Sequence, residues 1–226
     1  MGQFRGRCAL VDAQGATFPR KLAAGYVAMM ADAGFEQTVS GMAAAARKWA
    51  PGDGPAPVHL WNPPVLRDIG LRIDSEGRWF HQGGAINRPR MVKLFAALLR
   101  KDPQGHVLVT PVEKVAVEVE DAPFAVRDMR REAGPGGAVF VLRTNLDEEI
   151  AAGPDHPLRF ERAARDGLKP YVRVRGDLWA RVSRSLAVAL AECGEMRESD
   201  GRLMFGVASG GAFFPIAPAE GLEASS

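Results

Sequence analysis

The chain has 226 residues, 46% hydrophobic and 25% charged, a globular composition that excludes general disorder and fibrous architectures. Lysine and arginine number 29 against 27 acids, and the resulting formal charge of +2 gives no overall basic excess for an extended nucleic acid. No apolar run approaches the ~18 residues of a membrane helix, and the two cysteines, Cys8 and Cys193, are too few for a disulfide framework or a zinc cluster. A cytoplasmic, reducing setting is therefore expected, with no membrane partner.

Residues 1–56 form an Ala- and Gly-rich extension ending in a Pro/Gly loop. Helices are expected at 20–33 and 41–49, the second with Ser40 as N-cap. Met42 is also a candidate start of translation, and residues 1–41 carry no functional expectation. From residue 69 the pattern becomes strand, turn, strand, helix, strand. Ile69–Asp74 is an apolar run, Ser75-Glu76-Gly77 a turn, and Arg78–Gln82 the return strand. Gly83-Gly84 breaks it. A helix follows from Asn87 with Pro89 in its first turn, and Met91, Leu94, Phe95 and Leu98 give its apolar stripe. Asp102–Gly105 ends the helix, and His106–Val109 is the next strand.

The next stretch is rich in strands. Val115, Val117 and Val119 alternate with Ala116, Glu118 and Glu120, as in a half-buried strand. Phe124–Arg131 and Ala138–Thr144 flank the hairpin loop Gly134-Pro135-Gly136-Gly137. The first order of elements then returns. Pro170–Arg175 is a strand, Gly176 breaks it, and Asp177 caps a helix with the stripe Leu178, Val182, Leu186, Ala189 and Leu190. The strand Arg202–Val207 and strand-like sequence over 206–216 complete the copy. The expected fold is α+β, two related domains built from a duplicated strand-turn-strand-helix-strand unit, the C-terminal one antiparallel and β-rich.

Charge is distributed unevenly. Residues 78–101 hold Arg78, Arg88, Arg90, Lys93, Arg100 and Lys101 and no acid, and 168–184 is similarly basic, whereas 118–149 carries eight acids. Alternation on the strand 170–175 places Tyr171, Arg173 and Arg175 on one face. Arginines beside an aromatic ring and a helix N-terminus suit an anion such as a phosphate ester, and a solvated face paired with the acidic segment is the alternative. Other chemistry has little support. Ser209 in Gly206-Val207-Ala208-Ser209-Gly210 misses the Gly-x-Ser-x-Gly spacing and reads as a turn. The histidines show no metal-ligand spacing, no phosphate loop or dinucleotide fingerprint occurs, and no cofactor is expected. Cys193 reads as a core cysteine.

Several segments also occur in a specific order: Trp61-Asn62-Pro63-Pro64, Val109–Lys114, Glu120–Phe124, Arg143-Thr144-Asn145, Gly153–Arg159, Pro170–Gly176 and Ser209–Pro215. Together, over about residues 59–216, they resemble the bacterial family called domain of unknown function 1285. The resemblance implies two duplicated α+β domains, the C-terminal one superficially like a pleckstrin-homology fold, with a nucleotide-type ligand at their interface and a signalling role. One departure stands out: the family pattern has acids where this chain has Asp68 and Gly70, so a role needing both acids is not open to it.

The domains expected are an extension at 1–56, an N-terminal domain at 57–112, a C-terminal domain at 113–218 and a disordered tail at 219–226. The expected function is a binding module holding a small anionic ligand at the domain junction. Its site residues are Asp68, Thr110, Glu113, Lys114, Arg143, His156, Arg159, Tyr171, Arg173 and Arg175. Arg143, Arg173 and Arg175 are expected to bind charge, Tyr171 to stack, and Glu113 with Lys114 to fix the junction. The alternatives are a hydrolase of phosphorylated substrates using Asp68, Glu113 and His156, and a scaffold docking a protein partner on an exposed apolar groove.

Overall fold

The computed structural model describes residues 35–44, 56–134, 136–162 and 167–221. The chain divides into two compact units, Met1–Gly54 and Pro55–Ser226. In the first, residues 35–44 form helix α1, so Ser40 lies within a helix and does not cap one. The helix expected at 20–33 falls outside the described residues.

In the second unit a 3-10 turn (Val58–Leu60) leads to β1 (Leu66–Ile73), β2 (Trp79–His81) and β3 (Gly84–Ala85). Helix α2 (Pro89–Leu98) begins with Pro89 at its first position, where the missing N–H costs nothing, and its N-cap is Arg88, not Asn87. Val92, Phe95, Ala96 and Leu98 form its buried face. Met91 and Leu94, expected there, are only half-buried. The helix stops at Leu98. The following β4 (Leu99–Asp102) turns back at residues 103–104 into β5 (Gly105–Val109), and β6 (Lys114–Val119) completes the first sheet. The order is β3-β2-β1-β6-β5-β4, two antiparallel ribbons joined by the parallel pair β1–β6. Because β6 belongs to this sheet, the first domain runs past the boundary expected at residue 112.

The second sheet repeats that plan. Its strands are β7 (Phe124–Gly134), β8 (Gly137–Thr144), β9 (Glu149–Ala151), β10 (Leu158–Arg162), β11 (Leu168–Arg175) and β12 (Leu178–Val182). They are ordered β10-β11-β12-β7-β8-β9, again with first and last strands paired in parallel. Residues 178–182 form a strand where a helix was expected. Leu178, Ala180 and Val182 are buried while Trp179 and Arg181 are half-buried, a period of two. Leu178 and Val182 also fit a helical spacing of four, so their apolar pattern is shared by both kinds of element. The true N-cap of helix α3 (Arg184–Glu192) is Ser183, whose Oγ accepts from the Leu186 N–H at 3.5 Å. A third sheet, β13-β14-β15, holds Glu195–Ser199, Arg202–Ser209 and Ala212–Pro218, and a short 3-10 turn at Ala219–Gly221 follows where a tail was expected. The strand-turn-strand-helix-strand order thus occurs twice, around α2 and around α3.

Each half has its own core. Trp79 and Phe95 meet at 5.6 Å between ring centroids beside Ile73, Leu98, Leu108 and Val115. Phe124, Phe140, Leu142 and Val172 fill the second sheet. Each such side chain contributes roughly 1.5–3 kcal/mol by leaving water.

The halves are held together by polar anchors from the first half's β1–β2 turn and helix. Asp74 organises the turn, accepting from the Glu76 and Arg78 N–H groups and from the Arg78 guanidinium. Burial raises its proton affinity, but those hydrogen bonds outweigh it and hold its carboxyl below the usual range. Asn145 then bridges the halves, donating to the Gly77 carbonyl at 3.0 Å and accepting from the Ala125 N–H at 3.1 Å. Gly77 has φ +74° and an added Cβ would sit 2.8 Å from Asn145, so only glycine fits. Glu76 pairs with both Arg127 and Arg181. Arg175 reaches across to donate to the Ala96 carbonyl at the end of α2.

Candidate functional site

A cleft of about 250 Å³ lies where the two halves meet. The first sheet supplies Lys101 from β4 and His106 from β5, directly opposite one another across the ladder. The second supplies Arg159, Glu161, Tyr171, Asp177 and Trp179, and Asp121–Pro123 crosses between them. Arg159 lies over the Trp179 ring at 4.4 Å and the Tyr171 ring at 5.1 Å, and pairs with Glu161 at 3.0 Å. Asp121 accepts from the Tyr171 hydroxyl at 2.7 Å and faces Lys169 and Arg181 at 3.8 and 3.6 Å. Asp177 accepts from the Trp179 indole N–H at 3.1 Å but has no cation partner among the described residues.

Lys101 and His106 differ from these. Among the described residues Lys101 makes no hydrogen bond or ion pair, and neither His106 ring nitrogen bonds to protein. Burial, then the Lys101 charge, push the His106 pKa down to about 4 against a smaller opposing effect of Asp177, so the ring is neutral near pH 7. It can donate from one nitrogen and accept at the other.

The ten residues expected to form the site do not come together. Arg159 and Tyr171 line the cleft, but the Tyr171 ring is buried beneath Arg159 and its hydroxyl is bound to Asp121, so it offers no stacking face. Burial and the Asp121 contact raise its pKa further. Thr110, Glu113 and Lys114 stand at the β5–β6 turn inside the first half. Thr110 is buried, its hydroxyl donating to the Glu113 carbonyl and accepting from the Val112 and Glu113 N–H groups. Glu113 pairs with Arg67 at 3.1 Å and Lys114 with Asp102 at 3.0 Å. His156 Nδ1 lies 2.9 Å from the Arg173 carbonyl, and Arg173 donates to the Asp155 carbonyl, so both hold a loop. Arg143 pairs with Asp128 on the surface. Arg175 pairs with Glu148 and packs over Phe124, as well as binding Ala96. The acidic segment neutralises the arginines: Arg72 pairs with Glu120 and Arg130 with Glu149.

Asp68 is exposed and accepts from the Gly70 N–H at 2.9 Å. Gly70 has φ +72° at an irregularity in the β1–β6 register, and an added Cβ would crowd Gln82 at 3.3 Å. A bulge therefore explains the glycine where a second acid was expected. Ser209 is a buried staple, donating to the Ala152 carbonyl at 2.7 Å and accepting from the Phe140 N–H at 2.9 Å. A second cavity of about 270 Å³ lies beside it, with Arg131, Arg197 and an exposed Cys193, which is not a core residue. Among the described residues no group of His, Cys, Asp and Glu is placed to hold a metal, and no helix is long and apolar enough to cross a membrane.

The sequence could not single out Lys101, His106, Asp177 and Trp179. The signal was present only as the acid-free stretch 78–101 and the turn at Gly176-Asp177.

Fold and cleft define a two-domain α+β protein whose halves meet around a charged depression. Residues 56–122 match the family model described as the N-terminal domain of DUF1285, a domain of unknown function, and residues 123–216 match its C-terminal domain. The chain belongs to the DUF1285 family. A crystal structure of a DUF1285 family protein from Silicibacter pomeroyi DSS-3 is 40% identical, with a TM-score of 0.69 over 80% of this chain and 97% of that one. Another, from Shewanella baltica OS155, is 25% identical with a TM-score of 0.45 over 55% of this chain and 91% of that one. No curated protein matches the chain.

Proposed function

We propose that the protein is a binding module that holds a small charged ligand in the cleft between its halves. Lys101 takes an anionic group of the ligand, neutral His106 hydrogen-bonds beside it, and the Arg159–Trp179 stack forms a wall. One observation carries this reading: Lys101 and His106 face the cleft with no protein partner among the described residues, while every cation expected to bind the ligand is already tied. At about 250 Å³ the cleft lies below the ~300–1,000 Å³ of pockets that enclose drug-sized molecules, so a nucleotide-type ligand would lodge only its phosphate or its base.

Thermal-shift measurements with phosphate esters, nucleotides, carboxylates and amino acids test the proposal. A ligand at 100 times its dissociation constant stabilises by about 2.7 kcal/mol. The expected result is stabilisation by at least one class, abolished in Lys101→Gln. No stabilisation by any class at millimolar concentration counts against it. The hydrolase alternative gains no observation, because Asp68, Glu113 and His156 are each held by backbone groups or by Arg67.

A further inference from the structure

The lining of the junction cleft is not that of an anion site. It contains two cations, Lys101 and Arg159, and three carboxylates, Asp121, Glu161 and Asp177. Most of these charges are cancelled within the protein. Glu161 balances Arg159, and Asp121 accepts from Tyr171 with Lys169 and Arg181 alongside. Two charges of opposite sign remain without an ion pair among the described residues: Lys101 on the first half and Asp177 on the second.

Their placement is specific. Lys101 stands opposite His106 in the β4–β5 ladder, and cross-strand neighbours hold their Cβ atoms about 4.5–5.5 Å apart. Asp177 follows Gly176, whose φ of +50° makes the β11–β12 turn, and is fixed by the indole of Trp179. All three groups line the same cleft, and the two charges act on the His106 ring in opposite senses. Oppositely charged side chains on the two halves of one cleft, unpaired with each other and accompanied by a neutral donor and acceptor, match a ligand carrying both charges. A solitary phosphate would meet Asp177 as an uncompensated repulsion, and a solitary amine would meet Lys101 in the same way.

We infer that the cleft takes a small dipolar molecule of amino-acid size, its carboxylate on Lys101 and its ammonium on Asp177, with His106 hydrogen-bonded between them. This rests on the reading of the cleft as a ligand site and narrows its ligand class. The cleft volume suits this size, and the Arg159–Trp179 stack forms one wall beside the rest of the molecule.

Isothermal titration of the full chain with the free amino acids, with their N-acetyl forms and with their amides tests it. The acetyl forms lack the ammonium, and the amides lack the carboxylate. At least one amino acid is expected to bind, with each of its one-charge derivatives at least tenfold weaker. Asp177→Asn should remove the penalty on the acetyl form, and Lys101→Gln the penalty on the amide. Both side chains are exposed, so neither change threatens the fold, and circular dichroism of each variant checks that. If phosphate esters or acetyl forms bind as tightly as any free amino acid and Asp177→Asn changes nothing, the dipolar ligand is wrong and the cleft remains a ligand site. If amino-acid binding is unaffected by both substitutions, or nothing in either panel binds, the cleft itself is not the site and both readings fall.

Discussion

The two six-stranded sheets share one strand order, yet they are completed differently. In the first, the link between the ribbons is α2, which lays Phe95 against Trp79 and covers its own sheet. In the second, the same link is the loop 152–157, and cover comes from outside the sheet: α3 reaches β11, and β14 reaches β8 through Ser209. The first sheet is therefore closed by a local element, while the second depends on a strand 69 residues further along. That difference extends to the cleft. The first sheet's edge ribbon, β4–β5, presents Lys101 and His106 without a protein partner among the described residues, whereas on the second half only Asp177 of the cleft's charges is left without an ion pair.

Truncating the covering elements should show the contrast most clearly. Phe95→Ala removes a fully buried ring under α2 and should cost about 3–5 kcal/mol, read as a lower urea midpoint. Ser209→Ala leaves the buried Phe140 N–H and Ala152 carbonyl without their partner and should cost about 3 kcal/mol despite the loss of a single atom. Because Asn145 and Glu76 join the halves, both variants should still unfold in one transition by fluorescence and by far-ultraviolet circular dichroism. Two separated transitions would show that the sheets are independent.

The junction anchors rank next. Asn145→Ala strands the Gly77 carbonyl and the Ala125 N–H and should cost about 2 kcal/mol. Arg175→Met keeps the packing over Phe124 but leaves the Ala96 carbonyl with the Leu99 N–H alone, and about 1 kcal/mol is expected. Arg143→Met removes only an exposed pair with Asp128 and should lie within about 0.5 kcal/mol of the parent. Equal effects for the two arginines would contradict the division between anchors and surface pairs.

Those arginines also show what the sequence could convey. Strands were legible where alternation or turn chemistry was strong: Val115, Val117 and Val119 mark β6, and Gly134–Gly137 marks the β7–β8 hairpin. The β12 strand was not, because its apolar residues fit two periods at once and only the pairing of Tyr171 with Arg181 and Arg173 with Trp179 decides between them. The parallel pairs β1–β6 and β7–β12 join strands far apart in the chain, and no local signal encodes them. The site was least legible of all. Arg143, Arg173, Arg175 and Lys101 look alike in sequence, and what separates them is whether a distant carbonyl or carboxylate has reached them first.

His106 gives a pH-dependent effect and the finest probe of the unclaimed side. Its pKa falls from an ordinary value of about 6.5 to about 4, so between these values the unfolded chain binds more protons than the folded one. Stability from this residue is complete above pH 6.5 and is lost as pH falls towards 4. The ring is only half-buried, so after solvent screening about 1 kcal/mol is expected. His106→Gln should flatten that interval. Asp102 acts lower: hydrogen bonding from Arg100, opposed by burial and aided by Lys114, holds its pKa down, so its contribution is present above pH 4 and lost below. Nuclear magnetic resonance titration of the His106 ring separates the neighbours. Lys101→Gln should raise its midpoint by removing a like charge, and Asp177→Asn should lower it by removing an opposite one. A midpoint indifferent to both would mean that the three groups do not share one site, and the cleft would lose the feature that sets it apart from the rest of the surface.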